Sequence, residues 1–450
     1  MQLPDPTVGE FLQNNRMPVL LSRFRWQLLL LILASISILT QSATAQFDRF
    51  SVEGYGIINY YKFWWDTDLP RRAAFDLERF AIEPEYRVND KIKLEAEIEF
   101  EHGGTGSTME FDKLEEFGEY EQETEKGGEV VVEKLAAILE FTPEFNLRVG
   151  HFYVPIGLTN SAYEPGDYFT VARSEMEFNI IPATWHETGV EVFGQWSGLR
   201  YRAQLVNGLD ATGFSSANWI MRGHQGKFEM INAENMAVVG RLDYQLNEGA
   251  SVGASGYFGN SADNRPKPDL TVPAHVTIGE LHGTLQEGPF LARAMALYGA
   301  LENAGAVSKA NRNLSNNLNV KRSPVGSAAL GWYAEAGYDI LPWFYTPPKA
   351  ATPDEPTEEV THKQEEEEHD AEENKPALHL FGRYEYYDTM HEVAEGIFDN
   401  PRWERKVWTV GLNYRLNHNL TFKADFTNRT LGIPTDNVEQ TLGLGMGVEF

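Results

Sequence analysis

From Lys91 to Glu101 the chain reads KIKLEAEIEFE, and its side chains alternate without a break. Ile92, Leu94, Ala96, Ile98 and Phe100 fall on one face; Lys91, Lys93, Glu95, Glu97, Glu99 and Glu101 fall on the other. A period of two marks a strand, because successive side chains point to opposite faces. Eleven residues tilted by about 45° also just cross the hydrocarbon layer of a bilayer. In that setting a slip of one residue would put Glu95 and Glu97 into lipid, at roughly 2–4 kcal/mol for a basic group and less for a carboxylate. A single strand of this kind fits a soluble sandwich equally well, so repetition has to decide.

The pattern recurs. Strand-like segments fall at 50–61, 73–87, 91–101, 131–142, 145–152, 186–196, 198–207, 236–246, 251–259, 275–287, 289–301, 327–340, 376–388, 404–417, 419–430 and 438–450. These predict an all-β, antiparallel transmembrane barrel of about 16 strands, an even number as in bacterial outer-membrane barrels. Alternation is clean in Leu199–Leu205, Val238–Leu246, Trp408–Arg415 and Leu420–Thr427, and weak in 50–61, 131–142 and 275–287. The connections alternate in length. Short turns rich in Asn, Gly and Asp, such as Val88–Asp90 and Asn417–Asn419, alternate with long polar stretches such as 102–130, 153–185 and 208–235. Such turns reverse the chain tightly, and short turns at one end with long loops at the other is the outer-membrane pattern. Residues 341–376 break the parity, being long on the short-turn side.

Both chain ends agree. Arg16, Arg23 and Arg25 precede the apolar run Leu28–Leu39, and Ala43-Thr44-Ala45 follows it. A basic region, a short apolar core and an A-x-A site describe a secretory signal peptide over 1–45, with Met17 as an alternative start and 46–450 as the mature barrel. At the other end, Leu442, Leu444, Met446 and Val448 alternate with glycine and Glu449, and the last residue is Phe450. This ending resembles the C-terminal strand by which the barrel-assembly machinery recognises its clients, which makes Phe450 a candidate assembly signal. Aromatic clusters near strand ends (Tyr60–Trp65, Trp343–Tyr345, Tyr384–Tyr387) suit girdles at the headgroup level.

Composition narrows the partners. The net charge is −28, and becomes −29 once 1–45, with three arginines and two acids, is removed. Nucleic acid is therefore not an expected partner, since its phosphates need a basic surface. The chain has no cysteine, so disulfides and thiolate metal sites are excluded. No P-loop, dinucleotide fingerprint or EF-hand is present, and His151, Ser161, His186 and Glu187 lack a catalytic frame. No cofactor, metal or enzymatic activity is expected. Residues 346–376 carry eleven acids against Lys349, Lys363 and Lys375, with five prolines, a composition that predicts a disordered, acidic, periplasmic insertion.

Four stretches resemble a known family. LRVGHFYVPIGLTN (147–160), FNIIPATWHETGVEVFG (178–194), LRYRAQLVNG (199–208) and LFGRYEYYDT (380–389) are similar, in order and spacing, to the porin superfamily that includes the phosphate-selective porins O and P. The resemblance implies a sixteen-stranded barrel, a homotrimer in outer-membrane lipid, and a long third loop folded inward as a constriction, a place taken here by 153–185. The family's phosphate-binding ladder of basic residues does not clearly carry over, because the candidate basic residues are scattered and the chain is acidic, so the resemblance leaves phosphate or anion selectivity as an open alternative.

A barrel this wide holds water, and its selectivity depends on the lining charges. Alternation places Arg148, Arg200, Arg202, Arg241, Arg383, Arg415 and Lys423 inward, with Glu95, Glu97, Glu191 and Asp243. The constriction loop adds Glu164, Asp167, Glu175 and Glu177 against Arg173. A basic wall facing an acidic loop predicts a transverse field that sorts solutes by charge. The expected function is passive diffusion of small hydrophilic or charged solutes. A substrate-specific barrel receptor or barrel enzyme is the alternative, and a secreted non-membrane β protein the third; conductance and heat-modifiable migration separate them.

Overall fold

The computed structural model describes residues 49–104, 110–116, 119–123, 128–158, 160, 164–224, 230–312, 314, 322–345 and 375–450. The signal region 1–45 and most of the acidic insertion, 346–374, lie outside the described residues.

Sixteen strands close an antiparallel barrel. In chain order the strands are β1 (Phe50–Trp65), β2 (Ala74–Asn89), β3 (Ile92–Glu101), β4 (Glu110–Glu116), β5 (Glu119–Glu123), β6 (Glu129–Thr142), β7 (Phe145–Tyr153), β8 (His186–Trp196) and β9 (Leu199–Asn207). They continue as β10 (Met236–Asn247), β11 (Ala250–Asn260), β12 (His275–Glu287), β13 (Phe290–Leu301), β14 (Ala328–Asp339), β15 (Ala377–Glu392), β16 (Glu404–Asn417), β17 (Leu420–Leu431) and β18 (Val438–Glu449). β4 and β5 form a separate two-stranded sheet inside the stretch read from sequence as the polar loop 102–130. The other sixteen are the expected segments with ends shifted by a few residues. The seam closes where β1 meets β18, from Tyr55↔Glu449 to Trp65↔Glu439. Two helices lie in the long connections: α1 (Glu175–Ile180) between β7 and β8, and α2 (Ala304–Arg312) between β13 and β14.

The apolar side chains divide between two places. Leu135, Val238, Leu242, Leu246 and Leu281 point outward and are exposed, as a lipid-facing surface requires. The buried apolar cluster lies inside the barrel, where Ile156, Met176, Ile180 and Trp185 of the β7–β8 connection meet Phe214, Trp219 and Ile220 of the β9–β10 connection. The weak alternation of 50–61, 131–142 and 275–287 has its reason here. In β1, β6 and β12 some inward positions are apolar (Tyr55 and Ile57; Ala136 and Ile138; Val276 and Ile278), and all of these are buried.

Candidate pore constriction

The connection from β7 to β8 turns into the barrel. Its neck is closed by Val154 N–H donating to the Trp185 carbonyl at 2.7 Å. A segment with little regular structure leaves backbone carbonyls and N–H groups in need of partners. The barrel wall supplies them. Arg241 of β10 donates to the Gly157 carbonyl (2.7 Å), Arg415 of β16 to Gly166 (2.6 Å), and Lys423 of β17 to Tyr168 (2.8 Å). Arg293 of β13 donates to the Asp167 carbonyl, and Asn413 of β16 to Phe169 (3.0 Å). Arg383 of β15 reaches Thr170 Oγ1 (2.8 Å) and the Arg173 carbonyl (3.2 Å). Wall carboxylates take the N–H groups: Glu449 from Gly166 (2.6 Å), Asp425 from Val171 (2.6 Å) and Glu385 from Met176 (3.0 Å). Hydrogen bonds with one charged partner contribute roughly 1.5–3 kcal/mol each, so the segment is held along its length.

Packing follows the same path. Ser174 caps α1, its hydroxyl accepting from Glu177 N–H and donating to Glu385 at 2.7 Å. That carboxylate therefore lies where the positive end of the short helix favours an anion. Inward glycines make room for the segment. A Cβ at Gly331 would lie 2.3 Å from Met176 Cγ, one at Gly337 2.5 Å from the Phe169 ring, and one at Gly447 2.1 Å from Pro165 Cβ. Gly443 and Gly445 face Val171 in the same way, at 3.1 and 3.3 Å.

The residues singled out from sequence separate into three groups. Arg383, Arg415 and Lys423 touch the inserted segment, as described. Arg241 does so as well, and it also pairs with Asp243 at 2.9 Å. Arg148, Glu95, Glu191 and Arg202 form a chain on the opposite side: Arg148 bonds Glu95 at 2.8 Å and also Glu191, and Arg202 bonds Glu191 at 2.6 Å. Glu97 is fully buried and pairs with Lys134 at 2.8 Å. Arg200 pairs in register with Asp243 and lines, with Arg202 and Arg241, a cavity of about 590 Å³ by the short turns.

The inserted acids do not oppose the basic wall as a free sheet of charge. Glu175 accepts from Tyr387 (3.0 Å) and lies 3.5 Å from Arg429, while Glu177 is buried and accepts from Asn160 N–H (3.2 Å). Arg173 packs against the Phe178 ring. Apart from Arg429 beside Glu175, the wall's basic groups described above meet loop carbonyls or hydroxyls, because an inserted backbone needs donors wherever it touches. Glu164 stays exposed to the lumen. Partial burial first, then the charges of Asp167, Glu449 and Glu83, raise its carboxyl to about 7.

Sequence reasoning missed Arg293, Glu335, Glu385, Asp425, Glu449 and the glycine row. Arg293 and Glu335 are register partners joined at 2.8 Å, and Arg383 is Glu335's partner on the next strand. Charged residues aligned across neighbouring strands were one available signal. Glycine at the inward positions of β18 was the other. Among the described residues, no group of three or more His, Asp or Glu is arranged to hold a metal ion.

Comparison with known proteins comes to the same place. A family described as phosphate-selective porin O and P matches residues 58–450. An uncharacterised protein of Aquifex aeolicus (strain VF5) is 27% identical over 395 residues, covering 86% of this chain and 77% of that protein. Among solved structures, the outer-membrane channel DcaP of Acinetobacter baumannii is similar, at TM-score 0.51 and 12% identity, covering 89% of this chain and 97% of that one. An anion-selective porin from Comamonas acidovorans is similar at TM-score 0.50 and 8% identity, covering 89% and 99%. At such identities the likeness concerns the fold.

Proposed function

The chain belongs to the phosphate-selective porin O and P family and is an outer-membrane porin, a water-filled channel for small solutes, and from that premise we propose that it prefers cations weakly and is not phosphate-selective. One observation carries this reading. Arg293, Arg383, Arg415 and Lys423 all donate to the inserted segment, so they do not form a free basic ladder along the lumen. The facing wall is acid-rich. Glu83 and Glu85 of β2 and Glu95, Glu97, Glu99 and Glu101 of β3 stand against Arg79, Lys93, Lys134 and Arg148. Lumen charge of one sign raises the local concentration of the opposite ion. The inserted segment, the stretch 153–185, is the constriction of this channel, narrowing the passage between itself and the wall of β2, β3 and β6.

The same reading includes a homotrimer in outer-membrane lipid, delivered by the barrel-assembly machinery. It draws on the family and on Phe450, which is exposed beyond β18 and stacks on Phe80. Chemical cross-linking in envelopes should give a ladder ending at three copies. Selectivity is tested by the reversal potential of single channels in a KCl gradient. The expected sign is that of potassium preference. An anion preference, or block of chloride current by phosphate, would overturn the reading.

A further inference from the structure

On the side of the long connections, a cavity of about 430 Å³ lies between the ends of β3 and β6, the returning limb of the inserted segment and the β9–β10 connection. Its wall holds more acid than base. Arg79 is shared by Glu99 (2.7 Å) and Glu101 (2.8 Å), and Lys134 by Glu83 (2.7 Å) and Glu97 (2.8 Å). Glu133 is 3% exposed, and no lysine or arginine among the described residues pairs with it within 4.0 Å. Its neighbours are the Glu99 carboxyl, which it meets in a side-chain hydrogen bond, and the Tyr153 hydroxyl at 2.6 Å, which also lies 2.9 Å from Glu97 and has one proton to give. The basic charge acting on it is that of Arg79, one cation for the three carboxyl groups of Glu99, Glu101 and Glu133. His186, also 3% exposed, lines the cavity with its Nδ1 3.8 Å from Glu133. That nitrogen is 2.8 Å from the Thr184 carbonyl. Donating there, the neutral ring presents its lone pair at Nε2, which is buried without a hydrogen-bond partner.

A buried carboxylate needs a counter-charge, and an acceptor beside it needs a donor. One chemical group supplies both. We propose that this cavity binds a small primary ammonium ion, whose N–H groups donate to Glu133 and His186 Nε2, ahead of the constriction. At the rim, Glu129 and Asp210 outnumber Arg222, which favours entry of a cation. A quaternary ammonium has the charge but no N–H donor, so it satisfies only half of the site.

The proposal rests on the porin reading, and one recording separates the two. The full chain is reconstituted in a planar bilayer, and 1,4-diaminobutane is added to each side in turn. Concentration-dependent interruptions of the current are expected from the long-connection side, and not with tetramethylammonium at the same concentration. Glu133→Gln, which keeps size and one acceptor oxygen but removes the charge, should weaken the block by about tenfold, the change expected when roughly one charged hydrogen bond is lost. Equal block in Glu133→Gln, equal block by tetramethylammonium, or steady current through a conducting channel would overturn the proposal. If Glu133→Gln does not assemble, Asp210→Asn decides: the block by 1,4-diaminobutane, taken as a fraction of each variant's own open current, weakens, or the proposal fails. A preparation that does not conduct refutes the porin reading itself.

Discussion

Adding a side chain to the glycine seat of the inserted segment should narrow the channel. In Gly337→Val the new Cβ would start 2.5 Å from the Phe169 ring, and in Gly447→Val 2.1 Å from Pro165. Carbon atoms rest at about 3.5–4.0 Å, so the segment must move off the wall by roughly 1–2 Å. Overpacking of this kind costs about 1–3 kcal/mol. The contacts holding the same stretch (Asn413 on Phe169, Arg383 on Thr170, Asp425 on Val171) contribute roughly 1.5 kcal/mol or more each where a charge is involved. The segment therefore stays docked, but displaced toward the wall of β2, β3 and β6, across the proposed passage. Single-channel conductance should fall, while deletion of 164–180 should raise it. In the deleted background Gly337→Val has nothing to push and should leave conductance unchanged, a non-additivity that identifies the contact. A rise in conductance with Gly337→Val, or the same fall in both backgrounds, would refute the reasoning.

Other consequences are open to measurement. The Glu164 carboxyl, raised to about 7, is protonated below that pH and charged above it, so cation preference should increase as pH goes from 6 to 8, and Glu164→Gln should flatten the profile. Removing Phe450 takes away the ring stacked on Phe80, 6.1 Å between centroids, and two backbone hydrogen bonds with Gly54, each 2.9 Å; the yield of folded barrel should fall in heat-modifiability gels, with unchanged conductance in the channels that survive. Deleting Thr352–Asn374 removes a strongly acidic stretch; the barrel should still assemble, and its reversal potential should shift at low salt but not at high salt, where charges beyond about 3 Å are screened at 1 M.

The barrel was legible because its pattern is local. Lys91–Glu101 alternates so strictly that only one face can meet lipid, and the short turns fix where each strand reverses. The inward charges followed from the same alternation. The path of the inserted segment was not legible, because its wall contacts are made largely through backbone groups at Gly166, Asp167, Tyr168 and Phe169, which carry no residue signature. Gly443, Gly445 and Gly447 gave a hint. Read along the strand, they are only small residues between apolar ones; read across the lumen, they leave a groove that Val171 and Pro165 fill.

The seat of the inserted segment also sets an order of events. Pro165 rests on Gly447, and Gly166 lies between Glu449 and Arg415, so part of the seat belongs to the strand that joins β1 at the seam. Until that strand is in place, residues 165–171 lack several of their partners. If the seam closes last, the lumen should be wider before closure than after it, with the segment engaging as a latch when the ring is complete. In a chain stalled short of closure, a protease should cut near Gly166, and the cut should disappear as β1 and β18 join. Cutting that persists in fully closed barrels would mean that the latch and the seam are independent.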